Sequence, residues 1–328
     1  MPASLGEREI IRILTGVYGR NHGLPLRYTD DVAAIPLSSR QWIVLKSDML
    51  VASTDVPPTM KLWQAARKAV VATVSDFAAK GVRPMALMMS LGLPASIGRS
   101  GIREIGTGLA KGSSEYNCRI IGGDTGESND LVIDSIGVGL ANPNRLVRRS
   151  GAKPGDFVAV TGAFGRSAAG LKILLSRKGA RSREERKLAR TVLLPQARLA
   201  EGLSLAKSGA VTSSIDSSDG LAWSLHEIAR SSNVSIGLDR VPVDLDVERF
   251  ARRMRVSAVE LALYGGEEYE LVVTIRAGEF GRVKRSIPSL IRIGRVGKGR
   301  PDVGASIGGR LIEVEPRGWE HFRSRGLG

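Results

Sequence analysis

The chain has 328 residues, 42% hydrophobic and 25% charged, the proportions of an ordinary globular protein long enough for two domains. No run of about 18 apolar residues occurs, so no membrane-spanning helix is expected, and the single cysteine, Cys118, excludes an intrachain disulfide framework and a cysteine-based zinc site. Forty-eight Lys and Arg against 33 Asp and Glu leave a net charge of +15, which suits nucleic acid or a small phosphorylated substrate, although 5% aromatics leave little for base stacking.

Glu7, Arg8, Glu9 and Arg12 stand where a secretion signal would carry its apolar core, so a cytoplasmic protein is expected. Ile10, Ile11, Leu14, Val17 and Tyr18 recur at helical spacing, and Gly19 should stop that helix. Thr29-Asp30-Asp31 then leads into a strand over 32–37, and a second strand over 42–46 ends at Ser47-Asp48. A hairpin would set these two carboxylate-bearing ends side by side. Next comes a long helix over 62–80, rich in alanine and stopped by Gly81. Asp76 lies within it, a poor helix former that would need a partner if buried.

Strands are expected over 85–91, 118–121 and 131–140, with a helix over 99–113 between the first two. The run over 118–121 feeds Gly122-Gly123-Asp124-Thr125. Glycines let backbone N–H groups approach an anion, and a carboxylate beside them can hold a bridging metal ion. The segment reads either as such a phosphate–metal corner or as a turn capped by Asp and Thr. This order of elements predicts a sheet with helices on one face.

The stretch from Asn142 to Asp156 suggests a domain boundary, with 1–145 as one domain and 146–328 as the other. A strand over 157–161 runs into Gly162-Ala163-Phe164-Gly165 and a helix from Ser167, a glycine-rich turn without the Walker pattern. The basic run 177–190 also contains Glu184 and Glu185 and reads as a solvated helix. After a helix over 196–208, a strand over 211–215 ends in Asp216-Ser217-Ser218-Asp219-Gly220, more carboxylates and hydroxyls than a helix cap requires. Gly265-Gly266-Glu267-Glu268-Tyr269 precedes a strand over 271–275, and small strands over 304–314 lead to Gly318-Trp319-Glu320-His321-Phe322. His22, His226 and His321 lie in unrelated settings, which argues against a histidine metal site.

Several of these motifs, in this order, resemble the thiamine-monophosphate kinase family of the aminoimidazole ribonucleotide synthetase-like superfamily. They are Asp30-Asp31-Val-Ala-Ala, Ser47-Asp48, Ser75-Asp76-Phe-Ala-Ala-Lys-Gly, Gly122-Gly123-Asp124-Thr125, the segment 149–156, Ser167-Ala-Ala-Gly-Leu171, Ser218-Asp219-Gly-Leu221, Gly265-Gly266-Glu267 and the Gly-Trp-Glu-His-Phe tail.

The resemblance implies an α+β or α/β protein of two domains. The N-terminal sheet would carry helices on one face, and the C-terminal domain would hold a mixed sheet with helices. It further implies a homodimer formed through the N-terminal sheets, and ATP-dependent conversion of thiamine monophosphate to thiamine diphosphate with several Mg²⁺ ions. By position, Asp31, Ser47, Asp48, Asp76, Asp124, Asp216 and Asp219 would be the metal set. Gly123, Asp124, Arg149 and Ser218 would face ATP, and Asp55, Glu267 and Trp319 the thiamine end. Asp30 would point away from Asp31 if the segment were extended and is left out. A phosphate acceptor is already anionic, so direct in-line transfer needs alignment and charge neutralisation, with no protein nucleophile.

The chain departs from the family pattern at several places. Thr29 stands for Gly, Lys46-Ser47-Asp48 for Ser-Thr-Asp, Asp55 for a histidine, Glu267-Glu268-Tyr269 for Glu-Asp-Tyr, and Gly126-Glu127-Ser128 for Thr-Arg-Gly. These changes gather at the acceptor end and at one metal contact. A selenophosphate synthetase would want a cysteine before Cys118, and the hydrogenase-maturation dehydratase a C-terminal one. The alternatives left are a related synthetase acting on another phosphorylated molecule and a basic RNA-binding protein without turnover.

Overall fold

The structure is a computed structural model that describes residues 5–18, 23–177 and 179–322; Gly19 and His22 lie outside the described residues. The N-terminal sheet contains β1 (Ala33–Pro36), β2 (Trp42–Val51), β3 (Pro84–Leu93), β4 (Arg119–Glu127) and β5 (Val132–Ala141) in the order β1-β2-β5-β3-β4. The expected hairpin forms, with Ala33 opposite Leu45, so Asp31 arrives beside the Lys46–Asp48 end of β2. Residues 133, 135, 137 and 139 of β5 are buried while their neighbours are not, the alternation of a sheet covered on one face.

The cover is the Leu62–Lys80 helix, with Arg99–Glu115 beside it. Sixteen of the 19 residues of the first helix are buried, so it is a central element rather than an amphipathic surface one. It also packs on the Leu199–Ser208 helix and on β7 (Val211–Asp216) of the second domain. A Cβ on Gly202 would collide with the Ala78 carbonyl, so that close approach requires glycine. Gly81 closes the helix in the left-handed conformation, at φ 65°.

The second sheet adds β6 (Phe157–Val160), β8 (Ser235–Leu238), β9 (Leu271–Ile275), β10 (Ile291–Gly297), β11 (Val303–Ile307) and β12 (Arg310–Glu313) to β7. Its order is β12-β11-β8-β10-β6-β9-β7, antiparallel except where β8 meets β11, hence the mixed sheet expected. The basic run forms the Arg183–Leu193 helix, capped by Ser182 and Glu185.

One expectation is overturned here. Gly122-Gly123-Asp124-Thr125 forms no turn: β4 runs through it, paired in parallel with β3 from Met88–Gly122 to Leu93–Glu127. Gly123 serves that pairing, because a Cβ there would strike the Met89 carbonyl. The sheet face away from the helices leaves Ile35, Met49, Met88, Ile121 and Leu140 exposed.

Candidate active site

Three buried carboxylates meet at the junction of the two domains. Asp31 comes from the turn before β1, Asp76 from the central helix and Asp216 from the end of β7, with one oxygen of each within 4.8 Å of the others. Asp76 sits on the helix face toward β2, whose alternation points Lys46 and Asp48 inward and Ser47 outward. Lys46 Nζ lies 3.0 Å from Asp76 and 3.5 Å from Asp48. Ser75 Oγ donates to Asp216 at 2.7 Å. Lys80, fully buried, lies 2.6 Å from Asp30 and 2.7 Å from Asp31, and donates to the Ser214 carbonyl at 2.9 Å. Arg149 pairs with Asp31 and, at 3.0 Å, with Glu227.

The electrostatics follow from that crowding. Burial, followed by the charge of Asp31, pushes Asp216 up to about 7. Burial also raises Asp76 well above the carboxylate range; Lys46 opposes the rise and Asp216 adds to it. Asp31 is held below its usual value: burial would raise it, but Arg149 and Lys80 outweigh that. Asp76 and Asp216, raised chiefly by burial, together with the anionic Asp31 make an oxygen-donor set that fits a hard divalent cation.

A second constellation is built from the same central helix, on which Lys68 precedes Asp76. Lys68 Nζ pairs with Glu267 and donates to the Asp55 carbonyl at 2.8 Å. The Asp55 carboxylate accepts the Val51 N–H at 2.7 Å and faces His321 Nε2 at 3.9 Å. Exposed Trp319 meets His321 edge-on at 6.0 Å. Glu267 and Tyr269 hold φ of 60° and 52°, positions that bulky residues rarely take and that cluster at functional sites. They are fixed there by Glu267 N–H to the Ser218 carbonyl at 2.6 Å and Tyr269 N–H to the Ser217 carbonyl at 3.0 Å. The Tyr269 hydroxyl is driven well above the ordinary phenol value by burial and then by Glu267, Asp48, Asp216 and Asp55, carboxylates drawn from both constellations.

Residues 29–141 match the AIR synthase related protein N-terminal domain, and 153–304 its C-terminal domain. The thiamine-monophosphate kinase of Nitrosopumilus maritimus is 37% identical over 98% of this chain and 100% of its own length; that of Pyrococcus abyssi is 40% identical over 98% and 97%. The chain belongs to the thiamine-monophosphate kinase family. Its fold superposes on that of AaThiL complexed with AMPPCP and TMP with a TM-score of 0.86, at 29% identity over 97% of each chain.

Against that family pattern, Asp31, Asp76 and Asp216 come together as expected, and Asp48 joins them through Lys46. Asp55, Glu267 and Trp319 also gather, linked by Lys68 and His321. Ser47 and Asp124 do not join the cluster within this chain. The cross-strand rows Ser47–Ile136–Met88 and Met49–Asp134–Ser90–Asp124 put both on the open sheet face. There Ser47 Oγ donates to Asp134 at 2.7 Å, and Asp124 accepts the Thr125 N–H at 2.8 Å.

Asp219 also stands outside the group of three. It lies 3.9 Å from Arg8, and its carbonyl accepts the Trp319 N–H at 2.9 Å; Ser218 beside it is exposed. Arg149, expected to face ATP, is engaged by Asp31 and Glu227. Asp30 does belong with Asp31, because the segment is a series of turns and both carboxylates reach Lys80. Glu268 turns away from the acceptor end: buried, it accepts the Ser167 N–H at 2.9 Å, and burial pushes its carboxyl to about 7.

Lys68, Lys80 and His321 were missed. The two lysines sit inside a helix whose burial is all-round, a setting where lysine is rare without a partner. That was the available signal.

Proposed function

We propose that this protein transfers the γ-phosphoryl group of ATP directly to thiamine monophosphate, giving thiamine diphosphate. The observation that carries this reading is the double tie between the Asp31–Asp76–Asp216 cluster and the Asp55–Lys68–Glu267–Trp319 constellation: Lys68 and Asp76 share the central helix, and the Glu267 N–H donates to the Ser218 carbonyl just beyond Asp216. Its relative AaThiL was solved with AMPPCP and TMP together, which supports a site for donor and acceptor in one fold.

Asp31, Asp76 and Asp216, with Asp48 beside them, would hold Mg²⁺. Bound there, Mg²⁺ would offset the repulsion between two phosphate groups and the charge on the transferred one. The chain's own residues orient the partners. Lys68, braced on Asp55 and Glu267, fixes the acceptor end, and Trp319 offers a flat face to a cationic thiazolium ring. An oxygen of the acceptor phosphate bonds to the γ-phosphorus as the bond from that phosphorus to the β–γ bridging oxygen breaks. Because that oxygen is already anionic, no side chain has to remove a proton from it. Cys118 is buried with its thiol pushed up to about 11, a poor nucleophile. His226 is buried against the Val314 carbonyl at 2.6 Å, and burial lowers its pKa.

Steady-state assays with ATP, Mg²⁺ and thiamine monophosphate test the reading, and Trp319→Ala tests the acceptor end. The cation–π contribution of roughly 0.5–2 kcal/mol predicts a several-fold rise in KM for the acceptor with KM for ATP little changed. Equal weakening of both substrates would mean that Trp319 only pins the C-terminal segment to Asp219.

In this reading the two domains divide the work, with 1–145 carrying dimerisation and the Asp31, Asp48 and Asp76 part of the metal site, and 146–328 completing that site with Asp216 and supplying the rest of the phosphate and acceptor ends. The protein is cytoplasmic; among the described residues no helix is long and apolar enough to cross a membrane. It is also a homodimer, covering the open face where Met49, Met88 and Ile121 are exposed. Asp124 lies on that same face, so dimerisation would bring it to the partner. Met88→Asp should turn the dimer into a monomer in sedimentation velocity at micromolar concentration; a wild-type monomer would refute the interface.

A further inference from the structure

We propose that the Lys46 ammonium is a built-in cation of the active site, occupying between Asp48 and Asp76 a position that would otherwise take one divalent ion. This rests on the metal-dependent kinase reading and deepens it. Lys46 lies on the inward face of β2, its Nζ 3.0 Å from Asp76 and 3.5 Å from Asp48. A serine, the residue of the Ser-Thr-Asp pattern, would bring a neutral oxygen able to ligate a metal. An ammonium has three donors and no lone pair, so it ligates nothing and repels a second cation.

The local charge count agrees. Six carboxylates, Asp30, Asp31, Asp48, Asp76, Asp216 and Glu227, face four cationic groups, Lys46, Lys80, Arg149 and Arg230. The remainder equals the charge of a single divalent ion at the Asp31–Asp76–Asp216 cluster. A metal ligated by the Asp76 oxygen that faces Lys46 would sit about 2.1 Å from it. That places it within a few ångströms of the ammonium, where like charges in a buried site exclude each other.

The test is the number of Mn²⁺ ions bound per full-length chain without nucleotide, counted by the EPR signal of free Mn²⁺. Lys46→Ser should bind one more Mn²⁺ than the wild type, and Lys46→Arg the wild-type number. Equal numbers in wild type and Lys46→Ser, with thiamine diphosphate still formed by the wild type, overturn the Lys46 assignment and leave the kinase reading standing. A wild type that binds no Mn²⁺ and forms no thiamine diphosphate overturns both. A measurement on the wild type alone decides the matter should Lys46→Ser fail to fold. Acetylation of Lys46 by acetic anhydride, followed by mass spectrometry, should be equally slow with and without saturating Mn²⁺. Faster labelling with Mn²⁺ present would show that the metal displaces the ammonium and would refute the proposal.

Discussion

Replacing Asp76 by Asn should lower kcat by at least about 10²-fold while the chain stays folded, because the lost charge serves the transition state and not the packing. Asp76 is the hub of the cluster, shared between Asp31, Asp216 and Lys46. Asn keeps the volume and one oxygen acceptor, so the helix should remain intact by circular dichroism. The same change should weaken Mn²⁺ binding, since two carboxylates would remain where three now meet. Near-normal turnover in a folded variant would remove the metal assignment.

The second large effect concerns stability. Lys80→Met should destabilise the protein by about 3–5 kcal/mol, the usual result of leaving a buried ion pair with one partner. Lys80 is fully buried against Asp30 and Asp31, and through the Ser214 carbonyl it ties the central helix to β7. The urea midpoint should therefore fall, and the loss should depend on pH. The folded-state value of Asp31 is depressed by Arg149 and Lys80 against the opposing effect of burial. Its contribution is thus present above the unfolded carboxylate value, about 4, and is lost as pH falls through the folded one. Without Lys80 the folded value rises, so the acid-side loss should begin at higher pH. A midpoint unchanged at pH 7 would mean that Arg149 alone compensates both carboxylates.

Much of this site was legible in the residues because its carboxylates sit where elements end or where propensity is broken. Asp76 inside a helix, Asp216 at the end of a strand and Asp31 before one are each out of place locally, and such conflicts mark function. The face of a side chain was harder to read. Ser47 and Asp124 lie one residue from inward positions, and strand alternation carries them to the other side of the sheet. Gly122-Gly123 suggested a turn, yet Gly123 serves the close approach of two parallel strands, and a Cβ on Gly122 would meet open space.

Asp30 was misplaced by assuming an extended backbone where turns bring both carboxylates to one lysine. The short strand β8 and the strand β10, whose alternation is broken by a bulge between Arg292 and Gly294, gave too weak a pattern to find. The meeting of Asp55 with His321 depends on the tail folding back across the molecule, which no local pattern encodes.

The central claim, direct transfer from ATP to thiamine monophosphate, is tested most directly by a single-turnover quench. Enzyme in excess, with Mg²⁺ and thiamine monophosphate, is mixed with γ-³²P-labelled ATP and stopped at successive times. Label should pass into thiamine diphosphate at the rate at which it leaves ATP, with none on the protein. Label that appears first on the chain, or ATP consumed without labelled thiamine diphosphate, would contradict the account.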